Sequence, residues 1–219
     1  MRFHENLAAA DRILTTSLAE GFGMVFLESW LAGRPLVGRD LPEITADFTR
    51  AGVRFDWLTS RVNVPVRWIG AETFCQSVAR AYRQTLLAYG RQAPEGLDEA
   101  VAAKIVEETI DFGDLDETGQ RQVLQRVFSS TSDRESLLKL NPRLARAFCL
   151  DAQTVETSIA RNAQIIQDHY SLVSSGRLLV GLYRQMEGSA RGGCAEPLAD
   201  APRILDRFLD LERFRLIRS

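Results

Sequence analysis

Apolar positions recur along this chain with two different periods, and the change from one to the other organises the reading. Residues 12–17 (Arg-Ile-Leu-Thr-Thr-Ser) form a short apolar, β-branched run bounded by polar residues, which predicts a buried strand. Met24, Leu27 and Leu31 then fall at helical spacing, and Gly33 with Pro35 closes that helix. Residues 35–38 predict a second strand, 44–50 a short helix and 53–58 a third strand. A short helix ending at residues 8–10 precedes them. Strand, helix, strand, helix, strand over 12–58 is the order of a parallel sheet with right-handed crossovers.

After Trp68 the period is helical almost throughout. Residues 71–89 predict a long helix with Phe74, Val78, Ala81, Tyr82 and Leu86 on one face. Residues 91–96 break it, and 97–109 predict another helix. An acidic turn follows at 111–117, then helices at 118–129, 133–139, 142–148, 151–170 and 172–186. Residues 187–200 are rich in Gly, Ala and Ser and read as a loop. A last amphipathic helix is expected over 204–216, with Leu205, Phe208, Leu209, Leu211 and Phe214 available for packing. The organisation expected is therefore an α/β region over 1–90, a helical segment over 91–150, and C-terminal helices over 151–219 that pack back on the first region.

Composition narrows the class without naming it. The 219 residues are 45% hydrophobic and 26% charged, with a net charge of −2. Such a balance gives no electrostatic reason to expect nucleic acid or an anionic membrane as partner. No apolar run approaches the roughly 18–20 residues of a membrane span. The first residues lack an apolar signal core, so a cytoplasmic location is expected. Cys75, Cys149 and Cys194 are far apart and form no CxxC pair, and are expected to pack as small hydrophobes.

One stretch carries chemistry: Ser17-Leu18-Ala19-Glu20-Gly21-Phe22-Gly23-Met24-Val25-Phe26-Leu27-Glu28. A tight Gly turn between strand and helix presents unpaired N–H groups, which attract phosphate. Gly21 and Gly23 let a ligand approach the backbone with no Cβ in the way. Glu20 precedes the helix at the carboxyl end of the first strand, the edge at which open α/β sheets bind ligands. Glu28 is expected about five residues into the helix, roughly 7–8 Å along its axis. Two carboxylates then flank a diphosphate, one meeting a sugar and the other a ribose through vicinal hydroxyls.

The wider pattern Ser17-x2-Glu20-Gly21-Phe22-Gly23-x3-Leu27-Glu28-x4-Gly33-x-Pro35-x-Val37-x2-Asp40-x-Pro42-Glu43 resembles the donor-binding C-terminal domain of retaining GT-B glycosyltransferases of the E-x7-E type. Asn162 with Tyr170-Ser171, and then residues 179–183, resemble the closing helices of that family more weakly. The resemblance implies a partial Rossmann-like fold and a nucleotide diphosphate sugar as donor substrate, with no metal and no further cofactor. It assigns Glu20 to the catalytic position, where it contacts the donor sugar, and Glu28 to the ribose. Gly21, Phe22 and Gly23 fall where the family binds sugar and diphosphate.

About sixteen residues precede the motif, so the family's acceptor domain and its basic diphosphate pair are not expected in this chain, and residues 94–150 read as a helical insertion. The function expected is donor binding without catalysis by the chain alone. The alternatives are a non-catalytic binding or scaffold module, or one subunit of a split glycosyltransferase. A three-stranded sheet with an open edge implies homo-oligomerisation or a complementary N-terminal chain.

Other residues read as structural. His4 and His169 lack ligand spacing, and His169 beside Asp168 is expected to meet a helix C-terminus. Asp111, Asp114, Asp116 and Glu117 lack the Asp-x-Asp-x-Asp-Gly-x5-Glu pattern and read as a solvated turn with an N-cap. Arg12 is expected at the surface, and Trp57 and Trp68 over the sheet.

Overall fold

The computed structural model describes residues 3–189 and 200–216. The loop expected over 187–200 falls mostly outside the described residues, as do Cys194 and the side chain of His4. The fold is α/β, with a small three-stranded parallel sheet and a mostly helical remainder.

The alternation at the start of the chain is present: α1 (Phe3–Ala9), β1 (Ile13–Thr15), α2 (Val25–Leu31), β2 (Leu36–Arg39), α3 (Pro42–Arg50) and β3 (Leu58–Thr59). β4 (Asn63–Pro65) leads through a 3-10 turn into α4 (Ala71–Ala88), α5 (Leu97–Ala102) and β5 (Thr109–Asp111). Helices α6 (Glu117–Ser129), α7 (Thr131–Leu140), α8 (Pro142–Phe148), α9 (Ala152–Tyr170), α10 (Leu172–Ser189) and α11 (Ala201–Phe208) complete the order. Two compact units result. One holds the described residues of Met1–Ser60 and Arg146–Pro197, the other those of Arg61–Ala145 and Leu198–Ser219.

In the first unit the sheet order is β1-β2-β3, all parallel, with Ile13 opposite Leu36, Thr15 opposite Gly38 and Arg39 opposite Thr59. Gly38 has φ 118°, and a Cβ there would run into the Thr15 carbonyl, so only glycine lets β1 and β2 close at their carboxyl ends. α2 buries Phe26, Ser29 and Trp30, one helical face. Its end is a Schellman motif: Gly33, at φ 68°, donates to Trp30 O (3.0 Å) and Arg34 to Ser29 O (2.9 Å). Phe26, Trp30, Leu36, Val37, Phe48, Val53, Trp57 and Ile166 form the core, with α9 packed on α2.

The third strand is much shorter than 53–58. Arg54 has its N–H and C=O taken by the side chain of Asn162, at 3.1 and 2.8 Å, which occupies the backbone groups a strand neighbour would use. The chain turns at Phe55, whose carbonyl accepts from Leu58 N, and pairing begins only there. Trp57 is buried beside Trp30, with ring centroids 6.1 Å apart.

The second unit departs further from expectation. The helix expected over 97–109 ends at Ala102, and β5 pairs antiparallel with β4, Val64 opposite Ile110. A two-residue turn at Glu107 and Glu108 reverses the chain between Val106 and Thr109 and leads into β5. The acidic run is not a solvated turn. Asp111 and Asp114 are buried, while Asp116 does cap α6 by accepting from Gly119 N at 2.7 Å. Trp68 lies in this unit's core rather than over the parallel sheet, with Arg126 5.2 Å above its ring. The last helix stops at Phe208, yet Leu205, Leu209, Leu211 and Phe214 still reach the core formed by Phe74, Val78, Tyr82, Leu86 and Val101.

Candidate functional site

The strand-to-helix connection between β1 and α2 places the sequence-predicted residues around one turn. Thr15 is buried at the end of β1, and the chain then runs over the carboxyl edge of the sheet. Ser17 Oγ donates to Glu20 Oε1, which holds that half-buried carboxylate beside the strand end. Phe22 is 88% exposed, so its ring is presented to solvent rather than to the core.

The two glycines do different work. A Cβ on Gly21 would meet nothing within 4 Å, so that position is open to an approaching group. Gly23 has φ 65°, and a Cβ there would collide with Ile44 Cγ2 and crowd Phe26. Its requirement for glycine comes from packing against α3 as well as from its left-handed backbone.

The N–H groups of Gly21, Phe22, Gly23, Met24 and Val25 donate to no partner among the described residues. The first helical bonds are Phe26 N to Gly23 O at 3.0 Å and Glu28 N to Met24 O at 2.9 Å. α2 thus starts at Val25, and Glu28 stands in its first turn, not five residues in. The axial offset of Glu28 from the helix start falls to roughly 4–5 Å. Its carboxylate is half-buried, with no hydrogen bond or ion pair among the described residues. An unpaired carboxylate beside a row of unpaired amides offers acceptors to hydroxyls and donors to an anion in one place.

β2 adds residues to the same sheet edge. Asp40 Oδ1 accepts from Thr45 Oγ1 at 2.7 Å, and Asp40 N donates to Thr59 O at 2.9 Å. Arg39, at the carboxyl end of β2, is 9% exposed and brings a cation to that edge. The sequence reading passed over it. An arginine as last residue of an otherwise apolar strand was the available signal.

The remaining candidates are structural. Arg12 donates to Ala147 O at 2.9 Å. His169 is exposed in the last turn of α9, where a helix C-terminus favours a cation. Cys75 is half-buried, and burial foremost, with Asp98 adding, pushes its thiol pKa up. Cys149 is exposed and does not pack as a core hydrophobe. Among the described residues no group of three or more His, Cys, Asp and Glu could hold a metal ion. Nor is any helix there long and apolar enough to cross a membrane.

None of the protein-family models matches the chain, and neither the curated proteins nor the solved structures yield a match.

Proposed function

We propose that the first unit is the Rossmann-like, donor-binding part of a retaining GT-B glycosyltransferase, and that it binds a nucleotide diphosphate sugar at the β1–α2 turn. The observation that supports this reading is the run of five unpaired amides at residues 21–25, flanked by Glu20 and by the unpaired carboxylate of Glu28. In this reading Glu20 positions the sugar, Glu28 accepts from the ribose hydroxyls, and the amides of residues 21–23 meet the diphosphate. Those amides also stabilise the charge that develops on the departing diphosphate. Transfer needs an acceptor site in addition to this turn. β1 is an edge strand with Leu14 61% exposed, and a further strand, from a complementary chain or a second copy, covers it.

One observation favours a module that keeps the fold without the chemistry. The need for glycine at position 23 is met by the fold itself, through its φ of 65° and its contact with Ile44.

Calorimetric titration with UDP-, GDP- and ADP-glucose separates the two readings. Donor binding predicts a weak complex, Kd about 0.1–1 mM, with one of them. Glu28→Ala weakens it at least ~10-fold with thermal stability unchanged, since the Glu28 carboxylate has no partner among the described residues. No binding by any of the three, or wild-type affinity in Glu28→Ala, overturns the donor reading.

A further inference from the structure

α10 leaves an unusual amount of apolar surface in water. Every residue of it from 177 to 187 is exposed. Leu172 is 93% exposed, Leu178 71%, Tyr183 63%, Val173 62% and Met186 57%, with Leu179, Val180 and Leu182 near one half. At 100° per residue these eight cover an arc of roughly 220°, with Arg177 and Arg184 on the opposite side. A helix draws most of its stability from packing an apolar face, and a contiguous exposed patch of this size marks an interaction surface.

We infer that α10 is a self-association element and pairs antiparallel with α10 of a second copy about a two-fold axis through Leu179. Three properties of the helix select a copy of itself. The first is size complementarity. An axis at Leu179 sets Ser175 opposite Tyr183 and Gly176 opposite Leu182, so each small residue faces a large one. Leu172 then faces Met186. A Cβ on Gly176 would meet nothing within 4 Å, which leaves room for a partner's side chain there. Parallel pairing instead sets Gly176 against Gly176 and Tyr183 against Tyr183, a gap followed by a clash.

The second property is charge. In the antiparallel register Arg177 faces Gly181 and Arg184 faces Ser174, so no arginine meets another across the axis. The third is area. The eight side chains expose on the order of 900 Å² per copy, and covering two thirds of it in both copies buries roughly 1,200 Å² in total, which reaches the size of a stable interface. The contact is isologous and closes at two copies.

Sedimentation velocity on the full chain, from about 1 to 100 μM, is expected to show twice the chain mass at the upper end. Leu179→Glu, which places two carboxylates on the axis, weakens the dimer at least ~100-fold with the circular dichroism spectrum retained. Leu179→Cys tests the register without disturbing the fold. Read against the parent chain, it forms a symmetric disulfide under mild oxidation, and so does a mixture of Leu172→Cys with Met186→Cys chains. A chain that stays monomeric throughout overturns the inference. So does a dimer that survives Leu179→Glu, or one in which Leu172→Cys cross-links to itself.

Discussion

Glu107 and Glu108 are the residues most at odds with their own backbone. Their φ angles are 49° and 57°, the left-handed region that non-glycine residues seldom occupy. They form the centre of a two-residue turn closed by reciprocal bonds between Val106 and Thr109, at 2.9 and 2.8 Å. Two left-handed central residues define a type I′ hairpin turn, for which Asn-Gly is preferred. The conformation persists because its flanks are fixed: Glu108 O accepts from Val66 N at 2.8 Å and Thr109 Oγ1 donates to Val106 O at 2.8 Å. With no Gly or Asn at its centre, the turn carries no sequence signal, so 97–109 reads as one continuous helix. The double variant Glu107→Asn/Glu108→Gly is expected to raise the unfolding free energy by about 1–2 kcal/mol through relief of this strain. Urea unfolding measures it, and an unchanged or lowered midpoint at constant slope contradicts the strain argument.

At the scale of elements, two asparagines act as substitute strands. Asn162 bonds both backbone groups of Arg54, and Asn141 does the same for Asn63, at 2.7 Å to its N–H and 2.8 Å to its C=O. Each is at most 5% exposed. The alternation from β1 to α3 was legible because period, cap and turn residues lie within a few positions of one another. The late start of β3 was not, because its cause sits 108 residues away on α9. The candidate site divides in the same way. Glu20, the amide turn and Glu28 are contiguous in sequence and readable together, whereas Arg39 reaches that edge only through the pairing of β2 with β1. Asn162→Ala leaves an N–H and a C=O without partners and opens a void beside α9. It is expected to cost about 2–4 kcal/mol in urea unfolding. A loss under ~1 kcal/mol means that water replaces the amide without penalty.

At the scale of the whole molecule, each unit joins two separate stretches of chain. In the second, residues 200–216 return to a core built from 61–145. Tyr82 donates to Leu209 O at 2.6 Å and meets Phe214 edge-on at 5.2 Å. Beside them a charged group closes the return: Asp114 lies 3.4 Å from Lys104 Nζ and 3.2 Å from Arg215, with all three side chains mostly buried. Burial holds the Lys104 pKa below its ordinary 10.5, against the attraction of Asp114 and with Arg215 lowering it further. Between that lowered value and 10.5 the unfolded chain binds more protons than the folded one, so this lysine's contribution to stability rises with pH there. Below the window the penalty on the charged ammonium is present in full. Lys104→Met removes the titration and leaves Asp114 its contact with Arg215. The stability of the wild type minus that of Lys104→Met is therefore expected to grow in the wild type's favour from pH 8 to pH 10. Taking the difference cancels the titrations of Tyr82 and Cys75, which both chains share. Urea unfolding of the two at matched pH reads it directly, and a difference that shrinks with rising pH means that the Asp114 ion pair outweighs burial at Lys104.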